Sequence, residues 1–584
     1  MCGIAGINQL DNSQVSTESL KKMTDAIVHR GPDGEGHWVN ASAKIGFGHR
    51  RLSIIDLSEG GHQPMHYADG RYTITFNGEI YNYLEIREEL KIKGYQFTSD
   101  SDTEVLLALF DLKKELCLQD LDGMFAFAIW DEKEQTLFCA RDRFGEKPFH
   151  YYIDEQRFVF ASEIKQFWTL GIEKILDEGR LSEFIQNGSI ENAENVTETF
   201  YTKIKKLDAA HYLILSKGGS LQIHKYWDID LNTKPFIGSI EQAAEKFLEL
   251  LTESIRLRLR SDVPVGSSLS GGLDSSSIVM LIDALKGKEL KQNTFSARFK
   301  NFAKDEGEHI EAVVKACKNV DVHYTWPDKD YFEKVFDKVT FHQDEPYGSA
   351  SIVAQYAVME LANKNNVTVL LDGQGADEEL AGYIFYYRDY LNQLFYNKPS
   401  LYATEHKAYK KYHGQAYPYI PLSNNETLRM KVGRYKKRIL KQEMPYKNQL
   451  NIHLKNSTTK TGLKELLRYA DRNSMAQSRE VRLPFLSHKL VEFVFSLPDS
   501  YKINNGWTKF VLRKAMAPIL PSSICWRVDK IGYEPPQKRW IESDKFKSEI
   551  IQAAKTLGIK KLNEEDAKSV FTQEWRLLMA SKYI

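Results

Sequence analysis

The chain has 584 residues with 79 Lys and Arg against 79 Asp and Glu, so its formal net charge is zero and no chain-wide basic field recruits nucleic acid or anionic lipid. At about 100–200 residues per domain this length implies two to four domains. Five cysteines without CxxC spacing exclude a disulfide framework and a structural zinc, and no apolar run approaches the ~18 residues of a membrane span. Cytoplasm is the expected location, with no nucleic-acid or membrane partner.

Short strand-like runs dominate the first half: Ile45–His49, Tyr72–Phe76, Met124–Trp130, Thr136–Ala140 and Arg157–Ala161. Tyr72, Ile74 and Phe76 alternate with two threonines as a half-buried strand requires, and Asn77-Gly78 predicts a turn at its end. Helical spacing occupies Tyr83–Gly94 and Thr103–Leu112. The polar stretch Asp228–Phe236 places a domain boundary within residues 210–238, giving domains 2–215 and 235–584. Ser239-Ile240-Glu241-Gln242 has the form of a capping box, and Ala243, Phe247, Leu251, Ile255 and Leu259 form one helical stripe. Arg256, Arg258 and Arg260 at its end read as a solvated helix terminus. The pattern then becomes strand, loop, helix: Val263–Leu269 before Ser270–Asp274, Thr294–Phe299, and Val367–Leu371 before Asp372–Ala376. Such alternation predicts a doubly wound parallel sheet whose ligands sit at the strands' carboxyl ends. Residues 380–584 read as added helices.

Cys2 follows the initiator Met, so removing Met1 would leave a thiol and a free α-amine on one residue. An α-amine of pKa ~7.7–8.0 accepts the thiol proton where a lysine of ~10.4 largely could not. The run Met-Cys-Gly-Ile-Ala-Gly-Ile is small and apolar, suited to threading into a sheet. His29-Arg30-Gly31-Pro32-Asp33, Arg51-Leu52-Ser53-Ile54-Ile55-Asp56, Asn77-Gly78-Glu79 and Ser101-Asp102 follow it. With these motifs the first half resembles the class II, amino-terminal-nucleophile glutamine amidotransferases, which implies an αββα sandwich. By that resemblance Cys2 attacks the glutamine side-chain amide, and Asn77 and the Gly78 N–H form the oxyanion hole. Arg51 pairs with the α-carboxylate, Glu79 and Asp102 hold the α-ammonium, and Leu52, Ser53, Ile54 and Ile55 complete the glutamine site. Guanidinium matches carboxylate bidentately, and an amide beside a Gly N–H can aim two donors at one oxyanion.

Ser270-Gly271-Gly272-Leu273-Asp274-Ser275-Ser276 follows a strand and opens a helix, the setting in which backbone N–H groups bind an anion. It is not a Walker A loop, and Asp274 suits a phosphate only if it carries Mg²⁺. The loop resembles the pyrophosphate loop of the ATP pyrophosphatase superfamily, which cleaves ATP between the α and β phosphates. The two halves in this order resemble the glutamine-hydrolysing asparagine synthetase family. That resemblance implies ATP and Mg²⁺ as cofactors, glutamine and aspartate as substrates, and ammonia passing internally to an acyl adenylate. It places Leu269, Ser270, Gly271, Gly272, Asp274, Ser275, Ala297, Asp372 and Gly373 at ATP, and Asp274 and Asp377 on the metal. Gln374, Asp377 and Glu378 fall at the acceptor, with Lys530 as the catalytic cation on pyrophosphate or the pentavalent centre. Oligomeric state is left open, a homodimer being one alternative. One departure stands out: Gln374 occupies a position where clear asparagine producers tend to carry a glutamate, which raises another carboxylate, such as a uronic-acid sugar of surface polysaccharide, as the alternative acceptor.

Overall fold

The computed structural model describes residues 2–286, 291–414, 432, 448–528, 534–559 and 572–584. In the strand Tyr72–Ile80 the side-chain alternation sorts two faces. Tyr72, Ile74 and Phe76 pack outward with Leu106 and Phe110 of the helix Asp102–Lys113, while Thr75 turns inward and donates to Gly48 O at 3.3 Å. That strand belongs to a six-stranded antiparallel sheet ordered Leu221–Lys225, His211–Leu215, Thr136–Arg141, Gly123–Asp131, Tyr72–Ile80, Met65–Tyr67. A second six-stranded sheet faces it, ordered Lys205–Lys206, His150–Ile153, Arg157–Ala161, Gly3–Gln9, Ile45–Arg51, Gly34–Val39. Ile4, Phe47, Ala126, Ala128, Trp130 and Phe160 fill the space between them. Outer helices, Thr17–Asp25 on one face and Asp102–Lys113 on the other, complete an αββα sandwich. The amino terminus is thus an interior strand, paired with Ile45–Arg51 on one side and Arg157–Ala161 on the other.

The turn expected at Asn77-Gly78 is absent: both residues continue the strand, opposite Ala126 and Phe125. Pairing with Gly123–Asp131 runs the whole length of Tyr72–Ile80, and a Cβ on Gly78 would stand 2.1 Å from Met124 O, so glycine here serves a close backbone approach.

The second half is built on a five-stranded parallel sheet ordered Val320–Thr325, Gln292–Ala297, Val265–Ser268, Val369–Leu371, Glu480–Arg482. Chain order reverses between Val265–Ser268 and Val369–Leu371, and the Ser270 and Asp372 loops leave these two strands at that switch point, where open parallel sheets bind ligands. The capping box forms as expected, with Ser239 and Gln242 reciprocally bonded at the start of the helix Ile240–Arg258. The described residues of 380–584 are mainly helical, but Glu480–Arg482 is a strand that completes the sheet.

The arginine cluster is not a solvated terminus. Arg256 is exposed, but Arg258 is fully buried with its guanidinium 4.4 Å from the Tyr81 ring centroid, and Arg260 donates to Tyr81 O at 2.6 Å. Tyr81 belongs to the first half, so these cations dock the two halves together. Leu52, Ile54, Tyr81 and Met124 share one apolar cluster with Met475 and Phe485 of the second half.

Candidate active site

Threading of Gly3–Gln9 into the sheet sets Cys2 at the strand's start, against the junction between the two halves. The Cys2 N–H donates to Asn77 Oδ1 at 2.9 Å, and Sγ lies 4.0 Å from Leu52 O. Burial pushes the thiol pKa up, so the thiolate needs a base and a charge partner to form. Asn77 is fully buried and its Nδ2 has no partner among the described residues. A buried donor left unpaired costs about 1–3 kcal/mol, and it stands beside the nucleophile.

Glu79 carries the same signature with opposite polarity. Its Oε1 lies 3.6 Å from Arg482, while Oε2 is buried without a partner among the described residues, and burial followed by the nearby Glu480 charge raises its pKa well above the carboxylate range. Asp102 Oδ2 accepts the Ile80 N–H at 2.9 Å, and burial pushes its pKa up to about 6. Two buried carboxylates without a full cationic partner suit an ammonium group. Arg51 directs Nη1 to Ser58 O at 2.8 Å and Nη2 to Asp56 O, so in this state it braces the loop after it. The Ser53 N–H donates to Asp33 Oδ2 at 2.8 Å, and the Ile54 carbonyl accepts from Asp262 N–H at 2.9 Å across the junction. Leu52 and Ile54 lie in the apolar cluster at that junction, with Ile55 packed against it.

At the switch point a cavity of about 870 Å³ is lined by Leu269, Ser270, Gly272, Asp274, Ser275, Asp372, Gly373, Gln374, Asp377 and Glu378. Ser275 Oγ sits 3.0 Å from Ser270 Oγ and accepts the Ser270 N–H at 3.2 Å, which ties the loop to the first turn of the helix Leu273–Lys286. Gly271 does not line the cavity. At φ +77° it takes a left-handed conformation, and a Cβ would stand 2.8 Å from His309 Cβ, so it lets the loop press against the helix Gly307–Ala316. Ala297 does not line the cavity either, whereas its neighbour Ser296 does. Lys530 lies outside the described residues.

Asp274 and Asp377 converge, but on Lys509. Its Nζ stands 2.6 and 2.5 Å from the Asp274 oxygens and 2.6 Å from Asp377 Oδ1. Lys509 adopts φ +51°, strained for a residue with a Cβ, and this turn delivers its side chain to the two carboxylates. The donors are hard oxygens of the kind a divalent cation takes, but Lys509 stands between them, and no group of three or more His, Cys, Asp or Glu side chains able to hold a metal comes together among the described residues. Nothing local in the sequence marks Lys509; its importance comes from a carboxylate 235 positions away. Arg527, which has no individual role in the sequence pattern, lines the cavity and pairs with Glu306 at 2.7 Å. Gln374 Oε1 is buried without a partner among the described residues.

A glutamine amidotransferase domain family model matches residues 1–227, and an asparagine synthase model matches residues 246–575. Glutamine-hydrolyzing asparagine synthetase 1 of Bacillus subtilis (strain 168) is 32% identical over 95% of this chain and 90% of its own length. Glutamine-hydrolyzing asparagine synthetase 3 of the same organism is 33% identical over 90% and 86%. A solved structure, the glutamine phosphoribosylpyrophosphate amidotransferase from B. subtilis complexed with ADP and GMP, aligns at 14% identity and a TM-score of 0.30, over 64% of this chain and 81% of that chain, a likeness too distant to carry weight. With more than half of its residues inside the synthase model and a relative above 30% identity along nine-tenths of that relative's length, the chain belongs to the asparagine synthase family, preceded by a glutamine amidotransferase domain.

Proposed function

We propose that the chain converts L-aspartate to L-asparagine, using ATP and glutamine-derived ammonia, with residues 2–215 as glutaminase and 235–584 as synthetase. The observation that carries this reading is the pairing, within one chain, of a buried thiol beside an unpaired amide donor with a cavity opened by two loops at a parallel-sheet switch point.

In the first site the Cys2 α-amine, once Met1 is removed, takes the thiol proton. Sγ then attacks the glutamine amide carbon, and the negative oxygen is met by Asn77 Nδ2 and the Gly78 N–H. Collapse expels ammonia and leaves a thioester, which water hydrolyses to glutamate. Glu79 Oε2 and Asp102 hold the α-ammonium, and Arg51 the α-carboxylate.

In the second site the aspartate β-carboxylate attacks the α-phosphorus of ATP, releasing pyrophosphate and forming the β-aspartyl adenylate. Ammonia displaces AMP from that adenylate. The loop N–H groups and the Ser270 and Ser275 hydroxyls hold phosphate oxygens. Mg²⁺, held by Asp274 and Asp377, would neutralise phosphate charge. Lys530 is the proposed counter-charge for pyrophosphate. Gln374 cannot supply a carboxylate, but its buried, unpartnered amide oxygen can accept a hydrogen bond from aspartate's α-ammonium, which supports aspartate as acceptor despite the substitution.

The test is pyrophosphate release from Mg·ATP and glutamine with and without L-aspartate, with mass spectrometry of the product. Asparagine formed in step with pyrophosphate is expected; glutamine hydrolysis without aspartate-dependent pyrophosphate would overturn the acceptor assignment.

A further inference from the structure

Arg30 is fully buried, and each of its donor atoms is committed. Nε donates to Cys2 O at 3.0 Å, and Nη1 to Glu163 at 2.9 Å. Nη1 and Nη2 reach the two oxygens of Asp471 at 2.8 and 2.9 Å. Glu163 belongs to the first half, but Asp471 lies on the helix Leu463–Met475 of the second. The next residue, Arg472, extends the link, with Nη1 3.1 Å from Glu163 and Nη2 3.3 Å from Asp344. A bidentate guanidinium–carboxylate pair fixes direction as well as distance, so the Cys2 carbonyl is held in register with one helix of the synthetase half.

The same helix reaches the nucleotide cavity. Leu466 and Tyr469 line it, and Asn473 donates to the cavity residue Gln355 at 2.9 Å. At 3.6 residues per turn, Leu466, Tyr469 and Asn473 share one face, and Asp471 and Met475 share the opposite one. One rigid element therefore carries the cavity wall on one side and the grip on the nucleophile on the other.

Resting on the function proposed above, we infer that the helix Leu463–Met475 transmits occupancy of the synthetase cavity to the nucleophile, with Arg30 and Asp471 as positioning residues. A ligand that presses on Leu466 and Tyr469 shifts Asp471, and the Arg30 fork moves the Cys2 backbone against Asn77 and Leu52.

The test uses the full-length protein, comparing glutaminase kcat and KM with the rate of Cys2 alkylation by iodoacetamide, followed on the Cys2 peptide by mass spectrometry. Both are measured without ligand, with Mg·ATP, and with Mg·ATP plus L-aspartate. The wild type is expected to change kcat and alkylation rate by at least about fivefold, at the lower end of common coupling strengths, with KM little altered. Asp471→Asn is expected to reduce that response below about twofold while leaving ammonia-dependent synthesis intact. Arg30→Lys, which keeps the charge but loses the fork and Nε, is expected to lose the response equally and serves if Asp471→Asn does not fold. An undiminished response in either folded variant, or an unresponsive wild type, overturns the inference. Pyrophosphate release in the same samples separates the two readings: a response to Mg·ATP without aspartate-dependent pyrophosphate would leave the helix link standing and refute the acceptor.

Discussion

Lys509→Met removes the ammonium that sits between Asp274 and Asp377. Breaking a buried ion pair by deleting one partner costs about 3–5 kcal/mol, because the remaining charge is left desolvated. Lys509 is 4% exposed, whereas the two carboxylates each keep 16% of their side-chain surface open, so the lower end, about 3 kcal/mol, is expected. A divalent cation can take the ammonium's place in the variant without having to displace Lys509. Recovery of about 2.7 kcal/mol requires Mg²⁺ near 100 times its dissociation constant. The assay is urea denaturation followed by tryptophan fluorescence, with and without Mg²⁺ and without nucleotide, supported by Mn²⁺ binding read by electron paramagnetic resonance. The variant is expected to be destabilised in the absence of Mg²⁺, largely restored in its presence, and to bind Mn²⁺ more tightly than the wild type. Equal destabilisation with and without Mg²⁺, with unchanged Mn²⁺ binding, would refute the idea that Lys509 occupies a cation position.

Cys2→Ala is expected to abolish glutamine-dependent synthesis and spare synthesis from free ammonia; loss of both in a folded protein would refute the division between the sites. Asp102 has a folded pKa of about 6, above its ordinary 3.8, because burial favours the neutral acid. Its contribution to stability is therefore full below pH 3.8 and lost as pH rises through about 6, while ammonium binding needs the ionised form that prevails above 6. The kcat/KM for glutamine is accordingly expected to fall as pH drops through 6, and a pH profile in Asp102→Asn should lack that limb. Gly78→Ala puts a methyl 2.1 Å from Met124 O and 2.7 Å from Phe125 Cα, backbone atoms that cannot rotate away. It should cost at least the ~1–3 kcal/mol typical of overpacking and abolish glutaminase activity, checked by glutamate release beside ammonia-dependent synthesis.

What could be read from the sequence was what local order determines. Tyr72, Ile74 and Phe76 show their strand by alternation and Ser239 and Gln242 their helix start by spacing, while the roles proposed for Cys2 and Asp274 rest on their standing at a chain start and at a strand-to-loop junction. Asn77-Gly78 misled because the same dipeptide serves a hairpin turn and a tight strand crossing, and only the partner strand decides between them. Glu480–Arg482 spans three residues with one apolar side chain, too short for any period to emerge, and its strand character comes from pairing with Val369–Leu371. Arg258, Lys509 and Arg30 acquire their roles from partners far away in sequence, which no local pattern encodes.

The apolar cluster shared by Leu52, Ile54, Tyr81 and Met124 with Met475 and Phe485 bears on modularity. Neither half seals its own surface. A severed glutaminase fragment would present these four side chains to water and strip Arg30 of Asp471, so such a fragment should aggregate instead of working as a free-standing glutaminase. Recombination that exchanged one half for a homologue's would have to match this seam residue by residue. A substitution on one side of this seam is therefore expected to need a compensating change on the other.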